Sequence, residues 1–190
     1  MSTEPGWHED ALCQRLPREP TGAPVPGGAW EVARHLVEEY RMADPAIVRA
    51  TWDRDTPLLG RVMMLQLRFR HLLRVTAPVR VTRVWDEERD DARAFGYEYE
   101  TLPGHLEAGR MDYEVVKRRD GGVEFHLHAR SRPSGEGPWW ARIGFRLVGR
   151  REQVRFYFRC CERMARLTAR ELGLPDDPPP PAARIRDAQK

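Results

Sequence analysis

The chain has 190 residues, 41% hydrophobic and 32% charged, enough for one domain with a buried core and a strongly ionised surface. No apolar run approaches the roughly 18–20 residues of a membrane-spanning helix, which excludes a membrane span of that kind. The opening MSTEPGWHED has neither the basic start nor the apolar core of a secretory signal, so the expected compartment is the cytoplasm.

From the N-terminus, residues 1–28 hold Pro5, Pro17, Pro20, Pro24, Pro26 and the pair Gly27-Gly28, a composition that predicts a flexible arm. A first helix is predicted over Trp30 to Met42, with Val32, Ala33, Leu36, Val37 and Tyr40 at helical spacing, stopped by Ala43-Asp44-Pro45. Period-2 patterns follow. Met63, Leu65, Leu67 and Phe69 alternate with Met64, Gln66 and Arg68, and Ala77 to Trp85 predicts a second strand before a charged loop, Asp86 to Arg93. Further strands are predicted at Phe95 to Thr101, Met111 to Lys117 and Val123 to Arg130, with Asp120-Gly121 as a hairpin turn.

The period then lengthens to 3.6. A long helical stretch from Pro138 to Leu172 is closed by Gly173 and Pro175, with Val154, Phe158, Cys161, Ala165 and Leu172 as its apolar face. Residues 175–190, beginning PDDPPPP, predict a disordered proline-rich tail. The expected organisation is therefore an arm (1–28), one domain (29–174) and a tail (175–190). One helix, a meander of antiparallel strands and a long C-terminal helix make an α+β domain. Its most economical arrangement is a helix-grip, a curved antiparallel sheet wrapped around the last helix. Such a grip leaves space between sheet and helix for a ligand.

Candidate chemistry is sparse. In FGYEYETLPGHLEAGRMDYEVV, His105 is a candidate general base with Glu107 to orient it or Tyr97 to assist, and the competing reading is a turn with His105 exposed. Tyr97 and Tyr99 share a strand face with Phe95 and are candidates to put hydroxyls into a cavity. His126 and His128 lie on one strand face, but Phe125, Leu127 and Ala129 take the core side. A metal would need a third ligand from His105 or a neighbouring glutamate, so no metal and no cofactor are expected. The three cysteines lack zinc-type spacing and are expected as reduced thiols. The basic residues are 30 arginines against two lysines, Lys117 and Lys190. This is either compositional bias or a phosphate-binding surface. Arginines at intervals of four from Arg142 to Arg163 are candidates for nucleic acid or anionic surfaces, but Glu152, Glu162 and Glu171 share that helix and pair locally. A nucleic-acid partner is accordingly not expected. Arg130 or Arg132 in ARSRP is a candidate clamp for a carboxylate or phosphate.

The run Gly96, Tyr97, Tyr99, Thr101, Leu102, Gly104, His105 and Glu107, with Ser131-Arg132-Pro133, resembles an uncharacterised family, a domain of unknown function shared by actinobacteria and plants. The resemblance covers roughly 38–172, with one departure at Arg110-Met111-Asp112, where more acidic residues are expected. It implies the SRPBCC superfamily, the START and pollen-allergen type of helix-grip domain that encloses a hydrophobic cavity. That superfamily holds lipid carriers, cyclases and receptors, so the fold does not choose among them.

The leading expectation is a small hydrophobic or amphipathic ligand held between sheet and C-terminal helix by Tyr97, Tyr99, Met63, Leu65, Phe125 and Phe158, with His105 or Arg132 near the mouth. The alternatives are a cyclase- or hydrolase-like enzyme using His105 with Tyr97 or Glu107, and binding of nucleic acid or an anionic surface through the helix arginines.

Overall fold

The computed structural model describes residues 6–69, 73–103, 107–133 and 150–185. In chain order these form β1 (His8–Leu16), α1 (Ala29–Glu38), β2 (Val48–Thr51), β3 (Val62–Phe69), β4 (Leu73–Arg89), β5 (Ala92–Thr101), β6 (Glu107–Arg118), β7 (Val123–Pro133), α2 (Arg150–Glu171) and β8 (Ala183–Arg184). The strands make one sheet in the order β2-β3-β4-β5-β6-β7-β1-β8, antiparallel at every pairing. The helix-grip arrangement expected from the pattern is the observed one, with α2 packed on the inner face of β1 and β7. Among the described residues, no helix is long and apolar enough to cross a membrane.

The meander follows from alternation. Met63 and Leu65 of β3, Val79 and Val81 of β4, Tyr97 and Tyr99 of β5, Tyr113 and Val115 of β6, and Phe125 and Leu127 of β7 all point inward and are buried. β4 pairs with β3 along its first half and with β5 along its second. A register shift between Val81 and Arg83 separates the halves and bends the strand. The charged segment Asp86 to Arg93, expected as a loop, instead carries β4 and β5 to a tight turn at Asp90-Asp91, with Glu88 opposite Arg93 and Arg89 opposite Ala92. Charge did not stop the strand because its outer face is solvated. Asp120-Gly121 does turn β6 into β7, with Gly121 at φ 95° and Gly122 N donating to Asp120 Oδ1 at 2.8 Å.

The largest correction concerns the two ends. His8–Leu16, expected as part of an arm, pairs residue for residue with β7 and buries Asp10, Leu12, Gln14 and Leu16. Its alternation lies before the first proline cluster at Pro17, so the prolines mark a loop after a strand. The residues from Pro17 to Gly28 are held as well. Glu19 accepts from Trp30 N at 2.7 Å and Val25 N at 3.2 Å, and Gly22 N donates to Arg119 O at 2.8 Å. Beneath them Lys117 is 1% exposed and gives its ammonium to Pro20 O (3.0 Å), Gly22 O (3.1 Å) and Arg118 O (3.0 Å). Three carbonyls around one nitrogen suit the three donors of an ammonium and not the planar fork of a guanidinium. That gives a physical reason for a lysine in so arginine-rich a chain. Part of the expected tail also returns to the sheet, Ala183–Arg184 pairing with Leu12 and Cys13 of β1.

The two helices among the described residues close with the same motif. After α2, Gly173 takes φ 69°, its N–H bonds Arg170 O, and Leu174 N bonds Ala169 O. After α1 the left-handed position is Tyr40 at φ 54°, with Tyr40 N to Val37 O and Arg41 N to Leu36 O. The helix thus ends before the Ala43-Asp44-Pro45 expected to stop it. A left-handed non-glycine residue costs about 1–2 kcal/mol. Tyr40 is 5% exposed, and its ring packs against Tyr99 and Tyr113, which holds it there.

Candidate functional site

Between the inner face of the sheet and the N-terminal half of α2 lies a cavity of about 110 Å³. Val48, Leu65, Leu67, Met111 and Phe156 supply apolar wall, and Tyr40, Tyr99, Thr101, Ser131 and Tyr157 bring hydroxyls to it. The wall is built by strand parity on one side and by helical spacing on the other, since Phe156 and Tyr157 sit where α2 meets β7. Gly109 of β6 is part of the wall because no larger residue fits. A Cβ there would lie 2.3 Å from Arg130 O. Its backbone is gripped instead by Thr101, whose Oγ1 accepts from Gly109 N at 3.0 Å and donates to Gly109 O at 3.3 Å.

A polar chain braces one side. Asp10, buried in β1, takes both guanidinium nitrogens of Arg150 at 2.5 and 2.8 Å. Arg150 also donates to Gln153 Oε1 at 3.0 Å, and Gln153 Nε2 donates to Ser131 Oγ at 2.9 Å. The paired and bidentate geometry fixes the first described turn of α2 against β1 and β7. On the floor, Tyr99 O–H donates to Met111 Sδ at 3.4 Å, and the Tyr40 and Tyr113 hydroxyls lie 3.4 Å apart. Burial raises the phenol pKa values of Tyr40, Tyr97 and Tyr113 well above the ordinary range, so near neutral pH they are neutral hydroxyls and not bases.

Of the residues singled out in the sequence, Tyr99 and Leu65 line this cavity. Tyr97, Met63 and Phe125 share the inner face but are packed into the core, at most 1% exposed, with Tyr97 and Phe125 against the Tyr113 ring. Phe158 lies on the flank of α2, facing β1 and β8, with Arg184 5.7 Å above its ring. The buried stripe of α2 is Phe156, Tyr157, Cys160, Cys161, Met164, Ala165 and Thr168, a rotation away from the predicted face. Thr168 belongs to it because its hydroxyl is satisfied within the helix by Met164 O at 2.8 Å. Arg132 leaves β7 on the outer face and lies 4.9 Å over the Trp7 ring, so its neighbour Ser131 takes the cavity side. His105 lies outside the described residues, and Glu107 begins β6. Tyr40, Met111, Gln153, Phe156 and Tyr157 were not singled out as site residues. Tyr40, at helical spacing with Leu36 and Val37, and Met111, alternating with Asp112 ahead of Tyr113 and Val115, carried a usable signal of inward placement.

The helix arginines are largely satisfied by this chain. Arg155 pairs with Glu152 at 3.6 Å, Arg159 with Asp44 at 3.8 Å and Arg166 with Glu162 at 3.0 Å, while Arg163 donates to Arg41 O at 2.9 Å.

A second polar constellation lies on the outer face. Gly96 leaves room for the Trp85 ring, which a Cβ would meet at 2.5 Å, and Trp85 Nε1 donates to Glu114 at 2.8 Å. Glu114 also takes Arg89 at 2.6 Å and stands opposite His126, whose Nε2 lies 3.1 Å from Glu124. Burial would lower the His126 pKa, but hydrogen bonding to Cys13, Glu114 and Glu124 outweighs it and lifts it to about 11. Burial likewise pulls Glu114 upward, and its bonds from His126, Arg89 and Trp85 bring it down to about 2. Hydrogen bonding from His126 holds Glu124 at about 2, against burial. Cys13, Glu124 and His126 place ligand atoms within 4.8 Å of one another.

Ara h 8.0201 is similar in structure (12% identity, 88% of this chain and 99% of that one, TM-score 0.47). So are the hypothetical protein jhp0584 from Helicobacter pylori (7%, 84% and 85%, TM-score 0.49) and human STARD10 (10%, 85% and 72%, TM-score 0.45). No curated protein matches the chain in sequence. The pattern of one family, described as Domain of unknown function (DUF1990), matches residues 2–163, strand β1 and most of α2 included, and the chain belongs to that family.

Proposed function

We propose that this protein binds a small apolar or amphipathic molecule in the cavity between its sheet and α2. The observation that carries the reading is the composition of that wall. Aliphatic and aromatic side chains make most of a wall on which hydroxyls and one amide are fixed by their own hydrogen bonds, with Arg68, Arg110 and Glu152 also on the lining. An apolar ligand gains from leaving water, and the hydroxyls give it orientation. At about 110 Å³ the space is well below the roughly 300–1,000 Å³ of pockets for drug-sized molecules, so the ligand is a compact ring or a short chain.

Isothermal titration calorimetry with benzyl alcohol, a single ring with one hydroxyl group, tests this. The wild-type protein is expected to bind it saturably, and short-chain alcohols are expected to compete with it. Leu67→Trp, on the half-buried end of β3, fills the cavity and is expected to weaken binding at least tenfold with an unchanged far-ultraviolet circular dichroism spectrum. Absence of saturable binding in the wild type, or equal affinity in Leu67→Trp, would overturn the proposal.

A further inference from the structure

We propose that Cys13, Glu124 and His126 form a binding site for a zinc-class divalent ion on the outer face of the sheet, separate from the cavity. Cys13 stands directly opposite His126 across the β1–β7 ladder, and Glu124 lies two residues before His126, hence on the same face. Two ligands two apart on one strand, with a third across from them, converge on one point above the sheet. The sulfur, nitrogen and oxygen atoms already lie within 4.8 Å of one another, a spread that small side-chain rotations contract to tetrahedral spacing.

The donor set points to the class of ion. A thiolate, an imidazole and a carboxylate together suit zinc or cobalt and not magnesium or calcium, which take oxygen ligands. Three protein ligands leave the fourth position to water. All three groups are partly buried and none is fully covered, so an ion can enter from solvent. The surroundings also fit. Glu114 Oε2 lies 3.7 Å from His126 Nδ1, within a small rotation of the hydrogen bond by which a carboxylate orients a metal-bound imidazole, and Glu114 is held by Trp85 and Arg89. Arg118 and His126 both bond Glu124 through Oε2, which leaves Oε1 to turn towards the ion while Arg118 steadies the carboxylate. Binding forms a metal–sulfur and a metal–nitrogen bond and releases two protons to solvent, one from the Cys13 thiol and one from the His126 imidazolium. With Cys13 as thiolate, Glu124 ionised and His126 neutral, the divalent charge is balanced.

The test is titration of the chelator-treated, reduced full chain with Co²⁺. One equivalent is expected to raise a thiolate-to-cobalt charge-transfer band in the near ultraviolet and strong visible bands of a four-coordinate ion, and Zn²⁺ is expected to bleach both. Cys13→Ser removes the charge-transfer band, Cys160→Ala retains it, and Glu114→Gln weakens cobalt binding about 10–100-fold. If Cys13→Ser does not fold, protection of the wild-type Cys13 thiol from iodoacetamide by Zn²⁺ reads the same contact. No charge-transfer band in the wild type, a band that survives in Cys13→Ser, unchanged affinity in His126→Gln, or no protection of Cys13 would overturn the assignment.

Discussion

The two faces of strand β6 solve opposite problems with neighbouring residues. Inward, Met111, Tyr113, Val115 and Lys117 run from the cavity wall through the aromatic core to the tripod under the N-terminal segment, all buried. Outward, Asp112, Glu114 and Arg118 pair with His128, with Trp85 and Arg89, and with Glu124. The inner face is held by shape and excluded water, so its contributions are large and nearly independent of pH and salt. The outer face is held by charge-assisted hydrogen bonds at partly exposed sites, each small alone and sensitive to protonation. A strand of this kind places a largely apolar cavity wall and an ionic network back to back, separated only by its own backbone.

The strongest way to break the inner face is to remove its centre. Tyr113 is 0% exposed, its ring 5.7 to 6.1 Å from those of Tyr40, Tyr97, Tyr99 and Phe125. Tyr113→Ala should cost about 3–5 kcal/mol in urea unfolding, with loss of the cavity. A loss under 1 kcal/mol would mean that the inner face is not organised around this ring. Next in size, Lys117→Arg is a change that preserves charge and destroys geometry. It should cost about 2–3 kcal/mol and release the segment after Pro17 to proteases, because the guanidinium cannot serve three converging carbonyls. Equal stability and equal protease resistance would show that charge alone suffices there.

The smallest effect belongs to the outer face, and its sign is fixed by the direction of each shift. His126 is raised from 6.5 to about 11, so its contribution in the metal-free protein is complete below about pH 6.5 and is lost as pH rises towards 11. Glu114 and Glu124 are lowered from 4.5 to about 2, so theirs is complete above about pH 4.5 and is lost as pH falls towards 2. The face should be firmest between these limits, at about pH 4.5–6.5. Thermal unfolding across pH should show Tm falling on the alkaline side in the wild type and a flatter alkaline limb in His126→Gln. Parallel alkaline limbs would refute the assignment.

The parts of this architecture written as local period were legible in the sequence. Met63/Leu65, Tyr97/Tyr99 and Phe125/Leu127 announced inward faces, and Gly173 announced the end of α2, because a two-residue or 3.6-residue period is a property of the chain itself. Strand β1 was hidden by its company. Nine residues of weak alternation beside a run of prolines look like an arm until β7 supplies a partner. That omission also concealed Cys13, the group His126 faces, so His105 or a neighbouring glutamate was all the sequence offered as a third ligand. Of the cavity, Tyr99 and Leu65 could be read from parity. Arg132 and Phe158 could not be placed correctly, since a one-residue error in a strand reverses the face and in a helix turns it by about 100°. Gln153 and Ser131 meet only through tertiary packing and left no local sign.

Tyr40 joins the cavity to the chain's amide chemistry. Its ring forms part of the wall, while its left-handed backbone lets Arg41 N–H reach Leu36 O at the end of α1. Hydrogen exchange at the Arg41 amide therefore reports on the state of the wall. A molecule that pins the ring slows exchange there, and one that pushes it outward speeds exchange. A single backbone proton can thus register occupancy without a label on the ligand.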